Sequence, residues 1–309
     1  MSSPDLHELT ALGPSAAAPA RVRYRCRHVT RYSYADMVTS SQLLAHLAPR
    51  PHPRQTGGIA NLTIWPVPAL AIARLDWFGN PTTYASIQVP HENLTVTSEL
   101  IVEVRVGLVF DPADTPPWEQ VQALAIEDGP AAEFLAQSPR VPVPNPDLAA
   151  YAAEDFLPGR PVAEAAIALM RRIHREFTFR AGSTTVSTPV AEVLAQRCGV
   201  CQDFAHLMIG CLRVMGVPAR YVSGYLRTLP PPGQMKLQGA DASHAWLQAW
   251  CGPRLGWLDL DPTNATLVEL DHLTVAWGRD YDDVCPLRGV ILGGGSHTVD
   301  VAVDVEEIA

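Results

Sequence analysis

The run Arg197-Cys198-Gly199-Val200-Cys201-Gln202-Asp203-Phe204-Ala205-His206-Leu207-Met208 holds a glycine break and then takes up helical spacing. Phe204, Leu207, Met208, Cys211, Leu212 and Met215 fall on one face of a 3.6-residue period, so a buried-face helix is predicted here, ending at Gly216 before Pro218. Upstream, Thr188-Pro189 predicts another helix start, with the threonine as cap and the proline as first residue, stopping near Gly199. Cys201 therefore opens the second helix. Unpaired backbone N–H groups and the helix dipole favour a thiolate there, the form of cysteine that attacks electrophiles. Cys211 lies on the apolar stripe, and Cys26, Cys251 and Cys285 lie in or beside strands and turns. These four read as small core residues.

A nucleophilic cysteine needs a base, and the base needs an acceptor that orients it. Of the ten histidines, His244 has the most suggestive setting, at the head of the alternating run His244-Ala245-Trp246-Leu247-Gln248-Ala249-Trp250. The turn at 251–256 leads into Trp257-Leu258-Asp259-Leu260-Asp261, closed by Pro262. A hairpin that pairs Trp250 with Trp257 sets Trp246 opposite Asp261 and makes His244 a diagonal neighbour of Asp261 on the same face. Diagonal partners lie about 7–8 Å apart at the backbone, within reach of an Asp–His hydrogen bond. Asp259 shares that face one pair further away. The candidate catalytic residues are thus Cys201, His244 and Asp261.

The neighbours have plainer readings. His206 packs or caps, Asp203 holds the helix N-terminus, and Trp246, Trp250 and Trp257 pack on the face of His244. Gln202 is adjacent to the nucleophile and points away along the helix, so the Cys201 N–H is the expected oxyanion donor. Cys198 makes a Cys-x-x-Cys pair with Cys201. A thioredoxin-like site expects a strand before the pair, and a zinc site needs further ligands, yet no second C-x-x-C or H-x₃₋₅-H is present. A disulfide masking Cys201 stays open as an alternative.

Working outward, residues 21–110 read as short strands separated by turns, an antiparallel β domain. Alternation shows at Val22–Cys26 and again from Leu100 to Phe110, with turns at Pro49-Arg50-Pro51 and Phe78-Gly79-Asn80-Pro81. Residues 111–146 form a Pro-rich linker with short helices at Trp118–Ile126 and Ala131–Gln137. Helical periodicity takes over at Asp147–Asp155 and Val162–Phe177, and the α-rich core spans 147–270. Strands are expected at Ala219–Leu226, His244–Trp250 and Trp257–Asp261. Residues 271–309 carry the alternating stretch Thr298–Val305, which is expected to return to the β domain.

The composition narrows the function. With 47% hydrophobic and 18% charged residues in 309, the chain is too apolar to be disordered. A net charge of -9 without a basic cluster argues against nucleic acid as partner. No run approaches the ~18 apolar residues of a membrane span. Residues 1–20 form an Ala/Pro/Ser-rich tail without the apolar segment of a signal peptide, so a disordered tail and a cytoplasmic protein are expected. The six cysteines are then expected mostly as thiols. Oligomeric state has no signature in the sequence.

Three blocks, Gly199-Val200-Cys201-Gln202-Asp203-Phe204-Ala205-His206, His244-Ala245-Trp246 and Asp261-Pro262-Thr263-Asn264, resemble the motifs of the transglutaminase-like superfamily in their chain order. Arg27-His28-Val29-Thr30-Arg31-Tyr32-Ser33-Tyr34 and Phe78-Gly79-Asn80 resemble the N-terminal region of its bacterial branch, and Gly278-Arg279-Asp280-Tyr281 its C-terminal part. The resemblance covers most of residues 21–309. Cys198 departs from the pattern, since relatives commonly carry another residue type there. The resemblance implies an α+β protein: a papain-like transglutaminase core plus an N-terminal antiparallel β domain joined by the C-terminal strand. It implies a Cys201–His244–Asp261 triad acting through a thioester acyl-enzyme on a peptide or protein substrate, with no cofactor and no metal. Cysteine peptidase or amidase activity is the first expectation. Protein-glutamine gamma-glutamyltransferase activity and a non-catalytic scaffold or binding role are the alternatives.

Overall fold

The computed structural model describes residues 21–308 apart from 57, 59, 108 and 229–241. The tail expected at 1–20 lies outside the described residues. The first half comprises strands β1 (Arg21–Ala45), β2 (Gln55–Thr56), β3 (Ala60–Trp65), β4 (Leu70–Leu75), β5 (Pro81–Ile87) and β6 (His91–Arg105). Helices α1 (Trp118–Asp128), α2 (Pro146–Ala153) and α3 (Val162–Glu176) follow, then β7 (Thr178–Phe179), α4 (Val190–Gln196), β8 (Cys198–Gly199) and α5 (Cys201–Val214). The remainder is β9 (Ala219–Leu226), β10 (Ala242–Trp250), β11 (Trp257–Asp261), β12 (Thr266–Leu267), β13 (His272–Gly278), α6 (Tyr281–Val284), β14 (Leu287–Gly293) and β15 (His297–Ile308).

The N-terminal sheet is organised by β1, which runs for 25 residues. Its first half pairs antiparallel with β6 on one side and β15 on the other, and its second half pairs with β5 and β14. Register shifts between Ser33 and Val38 and between Val38 and Ser40 let one strand serve both halves, since irregularities of this kind bend a strand and raise its twist. The sequence predicts several short strands here. The alternation of buried residues breaks at His28–Thr30, where three consecutive side chains are buried, and this hides the continuity. The Leu100–Phe110 expectation is also corrected: β6 ends at Arg105. The C-terminal strand does return to the β domain, and Val303 and Val305 are buried there while Val299 and Val301 are half-exposed.

In the second half, α5 lies against a five-stranded antiparallel sheet of order β12-β11-β10-β9-β13. The predicted stripe of Phe204, Leu207, Met208, Cys211 and Leu212 is buried, but so is every other residue from Asp203 to Arg213, so the single buried face expected for this helix is corrected to burial on all sides. On α3, buried Val162, Ala165, Ala166, Leu169, Met170 and Ile173 repeat at helical spacing, and the helix packs against α5. The expectation for Thr188 is corrected. The helix begins at Val190 with Pro189 as its uncapped N-cap, and the Thr188 hydroxyl instead accepts from the Thr185 N–H in the preceding turn. Among the described residues no helix is long and apolar enough to cross a membrane.

Candidate active site

The approach to Cys201 is fixed by backbone geometry. Arg197 ends α4 in the left-handed region at φ 54, and its N–H bonds to the Val193 carbonyl. Cys198 and Gly199 then add a short parallel strand beside Thr178 and Phe179. Gly199 admits no side chain: a Cβ there would lie 2.8 Å from both Cβ and Oδ2 of Asp203. That closeness lets Asp203 reach back and accept the Val200 N–H at 2.8 Å, the carboxylate half of a capping box, while the Thr184 hydroxyl donates to the same oxygen at 2.6 Å. Burial pushes the Asp203 carboxyl up, against the lowering effect of those two hydrogen bonds. Cys201 is the first residue of α5 and half-buried. Cys198 and Cys201 are separate thiols.

The hairpin has the predicted register. Trp250 faces Trp257 and Leu247 faces Leu260, which extrapolates to Trp246 beside Asp261. His244 Nε2 lies 2.8 Å from Asp261 Oδ2. A carboxylate only accepts, so Nε2 carries the hydrogen, and Nδ1 is the ring nitrogen left to serve the Cys201 thiol, whose charged form favours a charged imidazole. Burial works against a charged imidazole. The hydrogen bond to Asp261 and the interaction with the Cys201 thiol outweigh it and raise the His244 pKa from 6.5 to about 10. Asp261 is 0% exposed. Burial would raise its pKa, but hydrogen bonds from His244, His272 and Asn264 hold it well below the usual carboxylate range.

Asp261 takes more donors than its hairpin partner alone. Oδ1 accepts from the backbone N–H groups of Thr263 at 2.9 Å and Asn264 at 3.2 Å, an Asx-type turn set by the Asp-Pro-Thr-Asn sequence. Oδ2 accepts from the Asn264 side-chain amide at 2.7 Å and from His272 Nε2 at 3.1 Å. Polar atoms of His244, Asp261 and His272 lie within 4.8 Å of one another. Such a donor set also suits a borderline metal. With both oxygens already occupied by N–H groups, it reads as a hydrogen-bonded carboxylate.

Asp259 has other work. Its Oδ1 accepts from Trp246 Nε1 at 3.0 Å and Gln248 Nε2 at 2.8 Å, and its Oδ2 pairs with Arg54 at 3.0 Å. Trp246 is fully buried and nearly parallel to the His244 ring at 6.2 Å, a packing role. His206 is buried, accepts the Tyr281 N–H at 3.1 Å and lies against Tyr221, and burial lowers its pKa to about 3. Gln202 is tied to the Val186 carbonyl at 3.2 Å. Sequence reasoning missed His272 and the amide of Asn264. His272 opens the alternating run His272-Leu273-Thr274-Val275 just as His244 opens its own, which marks it as a strand residue but not as a neighbour of Asp261.

Residues 150–262 match the model of the transglutaminase-like superfamily, and residues 24–103 match the bacterial transglutaminase-like N-terminal region. The chain belongs to the transglutaminase-like superfamily, with a mixed α/β fold of β-rich N-terminal domain and helical core. An uncharacterized protein of Mycobacterium tuberculosis is 46% identical over 291 residues, 92% of each chain. The protein-glutamine gamma-glutamyltransferase of Pseudomonas aeruginosa is 36% identical over 100 residues, 31% of this chain and 15% of that one. The structure of a "putative cysteine protease" from Cytophaga hutchinsonii superposes with a TM-score of 0.73 at 19% identity, covering 94% of this chain and 92% of the other, and shows the shared fold.

Proposed function

We propose that the protein is a cysteine amidohydrolase that cleaves a peptide or side-chain amide through Cys201, His244 and Asp261. The observation that carries this reading is the hydrogen-bonded pair of His244 and buried Asp261, with Cys201 at a helix N-terminus acting electrostatically on that imidazole. The Cys201 sulfur forms a bond to the amide carbon, and the carbonyl electrons move onto oxygen. The first N–H groups of α5, which lack intrahelical acceptors, stabilise that oxyanion. The C–N bond breaks as His244 delivers its proton to the departing nitrogen, leaving a thioester. Water then adds to the thioester, His244 takes its proton, and the C–S bond breaks to release the acid. Asp261 keeps the imidazole in one tautomer and stabilises its charged form.

A second reading is favoured by the partial similarity to the Pseudomonas transglutaminase: an amine in place of water would give a cross-linked amide. A glutaminyl peptide offered with water and with a primary amine separates the two. Hydrolysis product as the major species is expected, and amine adduct alone would overturn the preference. Cys201→Ala should abolish turnover while the protein stays folded. A variant that retains turnover would remove Cys201 from the mechanism.

A further inference from the structure

Asp261 is held on one side by its own turn, through Thr263 and Asn264, and on another by its hairpin partner His244. The remaining donor comes from a different strand. His272 opens β13, is buried, and sets its Nε2 3.1 Å from Oδ2, the oxygen that also receives His244. Its ring stands edge-on to Trp246 at 5.2 Å and lies 5.9 Å from the His244 ring, so its orientation is fixed by packing. Gly224 makes this approach possible, because a Cβ there would meet the Leu273 carbonyl at 2.1 Å and the Trp246 ring at 2.5 Å. Two residues further along β13, Gln55 of the N-terminal domain bonds both the N–H and the carbonyl of Thr274. The N-terminal domain thus pins the strand that presents His272.

We propose that His272 is a positioning residue of the active site: its Nε2–H locks the Asp261 carboxylate from outside the Asp-Pro-Thr-Asn turn and keeps it ionised opposite His244. The proposal rests on the triad reading given above. A donor to a carboxylate favours the charged form, so its removal raises the pH at which the carboxylate protonates. The carboxylate is fully buried, so a lost donor leaves an oxygen short of a hydrogen bond. Among the described residues, the charged and titratable groups around it are His244 on β10, Cys201 on α5, Asp259 with its partner Arg54, and Asp271 with Arg227 where β13 and β9 meet. His174 of α3 bonds the Thr263 carbonyl at 2.9 Å. All are left in place by a change at position 272.

The test follows carboxamidomethylation of Cys201 by iodoacetamide against pH in wild type, His272→Leu, His272→Gln and His244→Ala, with folding checked by near-UV circular dichroism. His272→Leu should move the acid limb of the reactivity profile up by about one pH unit, roughly a tenfold lower rate on that limb. His272→Gln keeps an N–H donor and should recover most of the shift. An acid limb unmoved in folded His272→Leu would overturn the role, and so would a His272→Gln profile as displaced as that of leucine. A wild-type Cys201 whose reactivity is indifferent to His244 would bring down the triad reading itself, and the proposal with it, which distinguishes that failure from the other two.

Discussion

At Asp261, five N–H donors converge on a carboxylate that water does not reach. The consequence is a pH dependence of stability with two flanks. His244 has a folded pKa raised to about 10 from 6.5, so its contribution is complete below about 6.5 and is lost as pH rises toward 10. Asp261 has a depressed folded pKa, so its contribution is complete above its ordinary value of 3.8 and is lost as pH falls below that. Both flanks describe one interaction seen from its two partners. The thermal midpoint should therefore plateau between about pH 4 and 6.5 and fall on either side, and Asp261→Asn should flatten both flanks. A midpoint in the variant that tracks wild type across the range would contradict this. Asp261→Asn should also lower any amidase turnover by about 10²–10⁴-fold, because the imidazole loses its tautomer anchor. At this scale the sequence was most legible where a period-2 register could be counted: pairing Trp250 with Trp257 was enough to bring His244 to Asp261. His272 escaped because its strand joins the sheet beyond β9, and nothing local reports which strands become neighbours.

Among the elements, close backbone approach decides how the strands and helices meet. Gly224 sits opposite His244 in the β9–β10 ladder and opposite Thr274 in the β9–β13 ladder. A methyl group there would sit 2.1 Å from a backbone carbonyl, which cannot swing aside as a flexible side chain can. Gly224→Ala should therefore cost about 1–3 kcal/mol or more in urea unfolding, as overpacked cores do. It should also slow Cys201 alkylation, because β13 carries His272. An unchanged urea midpoint would show that the ladder opens without strain. The helices were legible to within a few residues because α3 buries one stripe and the apolar spacing of α5 marks its span, although α5 is buried on all sides from Asp203 to Arg213. The cap at Thr188 was misread by one residue, since a proline suits either the N-cap or the first position and only the turn at Thr185–Thr188 claims the hydroxyl. The long β1 was read as several strands because its burial pattern changes phase midway.

Across the whole molecule, the N-terminal domain is built into the back of the catalytic sheet. Arg54 pairs with buried Asp259 at 3.0 Å and bonds the Val268 carbonyl at 2.6 Å. Gln55 bonds Thr274, Asn80 bonds both backbone groups of Trp277, and Trp277 stacks against the guanidinium groups of Arg50 at 3.6 Å and Arg220 at 3.8 Å. Asp259 in turn holds Trp246, which lies against His244, so the domain junction supports the site it does not line. Arg54→Ala leaves Asp259 buried with its ionic partner gone, and should cost about 3 kcal/mol, the scale of breaking a buried ion pair. The two domains should then still unfold in one transition, with tryptophan fluorescence and far-UV circular dichroism coincident. Two separated transitions in wild type would mean that the junction carries little of the stability. These contacts were invisible in the sequence because Arg54 and Asn80 lie in turns and Gln55 in the two-residue β2, about two hundred residues from their partners, where no periodicity operates.

The measurement that bears most directly on the central claim is site-resolved alkylation of the six cysteines by iodoacetamide from pH 4 to 9, in wild type and in His244→Ala. The expected result is that Cys201 reacts first, at a pH below that at which an ordinary thiol of pKa ~8.5 becomes reactive, and loses this lead when His244 is replaced. A Cys201 that reacts no earlier than an ordinary thiol, or equally fast without His244, would contradict the account.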